Sequence, residues 1–288
     1  MKATNFALVT PSYAPDFERC QLLCESVERF VSVPVTHYIV LTDTRDYAQF
    51  APLQNAHTRI VHRQEILPAW IKQLPLKRGY WISTRTRPIR GWIMQQLAKI
   101  ALAAQLQEEA AIFVDSDTVF VRPTDLSSLY RGENLRLYAE PGGNPQSMPE
   151  HSRWHRVASR VLGLEDTPFP APDYIQNLTS WRPANARAMC KHIEQRNSRS
   201  WVECLAGCSQ FSEYILYGSY IERVAQGTAG HFLDAQKICL DYWTPEPLSD
   251  AQLKAFMVTL QPQHLAVMFS AKARMSPQRY RQLLDDLA

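Results

Sequence analysis

Asp115 and Asp117 are the residues whose type and spacing most clearly invite chemistry. They interrupt the run Ala110-Ala111-Ile112-Phe113-Val114-Asp115-Ser116-Asp117-Thr118-Val119-Phe120-Val121. Apolar runs of strand length flank the Asp-Ser-Asp step on both sides. On an extended chain, carboxylates at i and i+2 point the same way. Like charges held that close repel unless a cation lies between them. A divalent metal answers that need, because hard cations take carboxylate oxygens and keep positions open for phosphates. The expectation is a strand end where Asp115 and Asp117 hold Mn²⁺ or Mg²⁺ against a phosphorylated ligand. The plainer alternative is that the two acids only cap a strand-to-turn transition.

A second feature is a one-sided charge run. Between Glu65 and Glu108 there is no acid, while Lys72, Lys77, Arg78, Arg85, Arg87, Arg90 and Lys99 all fall there. A single-sign segment beside a strand end attracts anions; a solvated basic face is the other reading. Residues 90–107 carry helical periodicity, with Trp92, Leu97, Ile100, Ala101 and Ala104 as much of the apolar face. Gln95 and Lys99 share a face of that helix at i and i+4.

The elements that must position these groups follow from the pattern. Residues 5–10 read as a strand, 11–13 as a turn, and 16–30 as a helix that Asp16 can cap. A strand over 36–42 ends at Asp43, a short helix covers 47–51, and a third strand covers 58–62. Alternating strands and helices describe a parallel α/β sheet. Ligands of such sheets collect at the carboxyl ends of the strands, here Thr10–Tyr13, Asp43 and Asp115–Asp117. Residues 72–90, with Pro75, Gly79 and Pro88, read as irregular. Further on, strands are expected at 135–139, 174–178 and 265–269. Helices are expected at 125–130, 151–162, 183–195, 209–224, 250–260 and from Pro277.

The length of 288 residues fits one large domain. The net charge of +3 is too mild to argue for nucleic acid, and none is expected as a partner. Cys20 and Cys24, like Cys204 and Cys208, are four apart on expected helices. That spacing suits buried apolar thiols rather than a metal knuckle. The opening Met1-Lys2-Ala3-Thr4-Asn5 carries no signal peptide, so a reducing, cytoplasmic setting is expected. No apolar run approaches the roughly 20 residues a membrane helix needs. Peripheral contact with the inner face of a membrane stays open.

An Asp-X-Asp step after an apolar run occurs in two families. Haloacid-dehalogenase phosphatases carry it as Asp-X-Asp-X-Thr/Val, usually at the opening of the domain. Here more than a hundred residues of strand and helix come first. Other segments in order are Val9-Thr10-Pro11-Ser12-Tyr13 with Asp16, and the run from Arg90 to Lys99. Phe211-Ser212-Glu213-Tyr214-Ile215-Leu216-Tyr217-Gly218 and Cys239-Leu240-Asp241-Tyr242-Trp243 follow. As an ordered set they resemble a GT-A glycosyltransferase, and more closely a group of bacterial glycosyltransferases of uncharacterised specificity.

That resemblance implies a GT-A (Rossmann-like) fold, a central, mostly parallel sheet flanked by helices. It implies one domain over 1–288, with a nucleotide-binding half to 125 and an acceptor-facing half from 126. The donor would be a nucleotide-diphosphate sugar of UDP type, and the acceptor a hydroxyl on a glycan or glycolipid precursor. Thr10, Pro11, Ser12 and Tyr13 would lie against base and ribose, and Asp43 would either meet the base or serve its own turn. Asp117 would bind the metal, Asp115 the metal or the ribose, and Ser116, Gln95 and Lys99 would approach the nucleotide. Lys272 and Arg274 would close over the diphosphate or belong to a solvated loop. An inverting reaction needs a base, for which Glu213 is the first candidate and Asp173 and Asp241 the others. Glu213 also suits the first turn of a helix that Ser212 or Ser209 caps. Asn177 would hold a sugar hydroxyl or a backbone group, and His231, Asp241 or His264 would add a metal ligand, although a lone histidine is more often structural. Competing readings are a phosphatase with Asp115 as nucleophile and Asp117 as acid/base, and a non-catalytic nucleotide- or glycan-binding protein.

Overall fold

Phe6–Ser12 (β1), Val35–Leu41 (β2) and Thr58–His62 (β3) run parallel, with β2 in the middle of the three. β1 is buried at every position, as expected of a strand covered on both faces. Phe17–Phe30 (α1) connects β1 to β2, and Tyr47–Phe50 (α2) and Arg63–Ile66 (α3) are short turns near β3. This computed structural model describes residues 5–74, 77–279 and 281; Pro75 and most of the helix expected from Pro277 lie outside them.

Residues 72–90 depart from the expected irregular segment. Ile71–Gln73 (β4), Tyr80–Ser83 (β5) and Ile89–Arg90 (β6) form a small antiparallel sheet. Its cause is strand alternation that the glycine and prolines obscure: Ile71, Trp81 and Ile89 are buried, and Lys72, Tyr80, Ile82 and Arg90 face outward. Gly91–Gln105 (α4) follows and is buried along most of its length, from Gln96 to Ala103 without a break. Trp92, expected on its apolar face, is instead exposed.

Ala110–Phe113 (β7) pairs with β1 in parallel, and Thr118–Phe120 (β8) leaves the turn after it. Tyr130–Arg131 (β9) and Asn134–Tyr138 (β10) form a hairpin, and Glu140–Asn144 (β11) leads to Pro149–Leu162 (α5). Ala171–Asp173 (β12) pairs with β11, and Thr179–Trp181 (β13) lies antiparallel against β7. The strand expected over 174–178 is absent; its last two residues form a turn in which Leu178 adopts φ 63°, outside the extended region. The main sheet therefore has the order β13-β7-β1-β2-β3.

Pro183–Asn197 (α6), Trp201–Ala206 (α7) and Glu213–Tyr220 (α8) follow. His231–Asp234 (β14) joins β10. Cys239–Tyr242 (β15) and Ala266–Phe269 (β16) flank Asp250–Val258 (α9), and β16 pairs with β8. Alternate residues of the same strands feed two cores. Ala7, Val9, Ala111 and Phe113 pack with α4, α6 and α8, while Phe6, Leu8, Ala110 and Ile112 pack with Leu23 and Val27 of α1. The result is a mixed α/β fold with a mostly parallel central sheet flanked by helices. Among the described residues, no helix is long and apolar enough to cross a membrane. All six cysteines are free thiols; the helix expected to carry both Cys204 and Cys208 ends at Ala206.

Candidate functional site

The Asp-Ser-Asp step is a turn, not an extended strand. β7 ends at Phe113, and the Thr118 N–H donates to the Asp115 carbonyl at 3.0 Å. The two carboxylates consequently take different partners. Asp115 Oδ1 lies 3.0 Å from Lys99 Nζ, and Asp117 Oδ2 accepts the Ala271 N–H at 2.8 Å. Lys99 Nζ also lies 3.0 Å from Glu213 Oε1 and donates to the Tyr214 hydroxyl at 3.0 Å. Burial opposes the Lys99 cation, but Asp115, Tyr214 and Glu213 outweigh it and hold its pKa well above the usual lysine range.

Three elements fix this network. Ser212 caps α8 by accepting the Ile215 N–H at 3.4 Å, which leaves Glu213 in the first turn. The Glu213 N–H donates to Gln96 Oε1 at 2.9 Å, so α4 and α8 are tied by a glutamine that sequence reasoning passed over in favour of Gln95. On the third side, Asn177 bridges two acids. Its Oδ1 accepts the Asp115 N–H at 3.2 Å and its Nδ2 donates to Asp241 Oδ1 at 3.4 Å. The neighbouring Leu178 holds a left-handed conformation, the kind of local strain that gathers at functional sites.

Asp16, expected as a helix cap, makes no capping bond. It is buried, pairs with Arg19 at 3.1 Å, and its pKa is raised by burial against Arg19, with Asp115 adding to the rise. Asp117 is pushed up to about 7 by burial and then by Asp115, with Asp16 contributing. Asp241 is raised to about 6 by burial, against hydrogen bonds from Cys239 and Asn177, and Asp115 adds to it. Asp115 is thus common to the cluster: it meets Lys99 directly and raises the proton affinity of Asp16, Asp117 and Asp241.

Tyr13, on which Asp16 and Asp117 act, lines a cleft of 590 Å³ with Asp43, Arg78, Trp92 and Gln95 among others, a size that suits a small-molecule ligand. Tyr13 is 38% exposed and Trp92 43% exposed, so two aromatic surfaces face this space. The other strand-end residues are placed differently. The Thr10 hydroxyl turns inward to His37 Nε2 at 2.8 Å, and Pro11, Ser12 and Ser116 are buried. Both Asp43 oxygens serve Arg45, at 2.9 Å from Nε and 2.6 Å from Nη2, and the Arg45 N–H bonds it as well. Burial raises the Asp43 pKa, but bonds from Arg45 and Gln73 prevail and bring it to about 2. That is the turn role, one of the two its position allowed. Lys272 and Arg274 are exposed just past the Ala271 N–H that binds Asp117.

Glu213 is only 4% exposed, so its carboxylate faces Lys99 rather than open space. Asp173 lies opposite Glu140 in the β11–β12 pair and accepts the Ile175 N–H at 3.0 Å. His231 takes the structural role of the two its sequence allowed. Its Nε2 meets the Tyr217 hydroxyl at 2.8 Å and its Nδ1 the Leu135 carbonyl at 3.0 Å, so neither nitrogen is spare. His264 Nδ1 accepts the Gln261 N–H at 3.0 Å.

A family model, DUF6492, whose description is a family of unknown function, matches residues 6–287. The chain belongs to the DUF6492 family. No curated protein matches the chain. Among the described residues no group of three or more His, Cys, Asp or Glu side chains is arranged to hold a metal ion. What the site offers a cation is the pair Asp115 and Asp117, hard oxygen donors whose crowding a positive charge would relieve.

Proposed function

We propose that this protein is a metal-dependent glycosyltransferase of GT-A type. It moves a sugar from a nucleoside-diphosphate sugar, of UDP type, to a hydroxyl on a bacterial glycan or glycolipid precursor. It works in the cytoplasm at the inner face of the membrane. The observation that carries this reading is a cluster in which Asp115 meets buried Lys99 and also acts on Asp16, Asp117 and Asp241, while Asp16 and Asp117 act on Tyr13 in the wall of an aromatic cleft. The walls at Tyr13 and Trp92 suit a planar base. Asp115 and Asp117 suit Mn²⁺ or Mg²⁺ bound through two carboxylates, with diphosphate and water completing the shell, a common arrangement for these ions. When bound, the metal would stabilise charge on the departing diphosphate. Lys272 and Arg274 supply further positive charge on the same side as Ala271.

The acid roles follow from exposure and contacts. Glu213, sealed against Lys99, is a positioning residue for that cation. Asp241 keeps solvent-facing surface, is oriented by Asn177, and has a pKa of about 6, which suits a general base for an acceptor hydroxyl.

A second reading is favoured by one observation. Asp117, raised to about 7 beside Asp115, would suit the acid/base of a phosphatase whose nucleophile is Asp115. Thermal unfolding with a panel of nucleoside diphosphates, with and without Mn²⁺, separates the two. A ligand that binds the folded state raises the midpoint by mass action. The transferase reading expects a Mn²⁺-dependent rise selective for one base, lost in Asp117→Ala, with turnover of the matching nucleotide sugar. A rise with phosphate mimics and none with any nucleoside diphosphate would replace it with the phosphatase. Tight nucleotide-sugar binding without turnover across acceptors would leave a binding protein.

A further inference from the structure

The small β4–β5–β6 sheet has two unlike faces. Register sets Lys72 opposite Ile82 and Tyr80 opposite Arg90 on the outer face. All four are exposed, Tyr80 at 37% and Ile82 at 45%. Lys77 stands over the Tyr80 ring, 4.1 Å from its centre. Lys72, Lys77 and Arg90 have no carboxylate partner among the described residues, and no acid occurs in sequence between Glu65 and Glu108.

A face that serves only solubility mixes both charge signs and keeps large apolar side chains few. This one carries a single sign together with Ile82 and Tyr80. Unpaired cations beside amphipathic rings match the headgroup region of an anionic bilayer, where lysine and arginine meet phosphate and Tyr and Trp sit at the interface. A soluble polyanion would engage the cations and leave Ile82 without a role. We propose that this face docks the protein peripherally on an anionic lipid bilayer. The docking does not depend on the transferase reading, since it uses none of the acidic residues. It does bear on access: Trp81, on the inner side of the same sheet, and Trp92 also line the cleft. The bilayer would therefore lie beside the cleft, where a lipid-linked ligand can reach it.

The test is co-sedimentation of the full chain with phosphatidylcholine vesicles, with and without phosphatidylglycerol. Binding to the anionic vesicles alone is expected, and salt should weaken it. Each basic residue near such a surface contributes about a fivefold change in partition. Lys72→Gln with Arg90→Gln should thus lower partition by about 25-fold, and Ile82→Ser should lower it at every salt concentration. These positions are exposed, so circular dichroism should stay unchanged and separate lost binding from lost folding. Equal binding to neutral vesicles, no binding to either, or an unaffected double variant would overturn the proposal. So would a double variant that binds weakly while Ile82→Ser binds normally and dextran sulfate competes fully, since the partner would then be a soluble polyanion.

Discussion

Lys99 is the residue on which the site's electrostatics turn. It is 5% exposed and separates Asp115 from Glu213, with one ammonium nitrogen 3.0 Å from each. Removing one partner from a buried ion pair leaves uncompensated charge, a loss of about 3–5 kcal/mol. Lys99→Met should therefore lower unfolding free energy by that order in urea titrations. A loss below about 1 kcal/mol would mean that water already screens the acids. His231 makes a separate, pH-dependent prediction. Burial holds its pKa down to about 4, and its ring is neutral, bonded at both nitrogens. An unfolded histidine titrates near 6.5, so between about 4 and 6.5 the unfolded chain binds more protons. Its contribution to stability is then complete above about 6.5 and declines as pH falls to 4, by roughly 3 kcal/mol. The stability difference between wild type and His231→Gln should shrink across that window. A difference constant from pH 7 to pH 4 would show that the ring is already protonated or solvent-exposed.

Among the elements, α8 matters most because it carries both Glu213 and Tyr214. Its interior Gly218 is there for contact, not for backbone freedom. A Cβ at that position would lie 2.3 Å from the Tyr174 ring. Helix propensity alone predicts that Gly218→Ala stabilises the protein by about 1 kcal/mol. Overpacking predicts the opposite, a loss of about 1–3 kcal/mol, because the tyrosine ring or the helix must move. We expect overpacking to win, and nucleotide-induced stabilisation to fall with it as Glu213 and Lys99 separate. A higher melting temperature for Gly218→Ala would show that Tyr174 yields without disturbing α8.

At the scale of the whole molecule, the two halves of the chain are interleaved. β13 closes one edge of the main sheet against β7, and β16 pairs with β8. Both cores draw on alternating residues of β1 and β7, so loosening one face exposes the other. A chain cut after residue 125 would lose β13 and β16 together and leave unpaired strand edges. The full chain should therefore unfold in one transition, with circular dichroism and tryptophan fluorescence coincident. The 1–125 fragment should show no cooperative melt. Two resolved transitions in the full chain, or a folded fragment, would require independent units.

Local pattern alone determined β1, β2, β3, α1 and α4 to within a few residues, because hydrophobic periodicity reports which positions are inside. It also put Asp115 and Asp117 at a strand end, which sheet topology makes a place for ligands. Periodicity does not report what a buried residue faces. That Lys99 meets Asp115 and Glu213 depends on α4 packing against α8, and the Gln96 bond that joins those helices spans 117 residues. Asp16 reads locally as a cap, yet tertiary packing buries it near Asp115 and changes its proton affinity. In sequence, His231 leaves ligand and structural roles open; Tyr217 and Leu135 decide it by claiming both its nitrogens. The β4–β6 sheet stayed hidden for the opposite reason. Its strands are so short that glycine and proline dominate the local signal, and only their pairing reveals the alternation. The residue types needed for charge and hydrogen bonding are thus present in the chain, while long-range packing decides which of them meet.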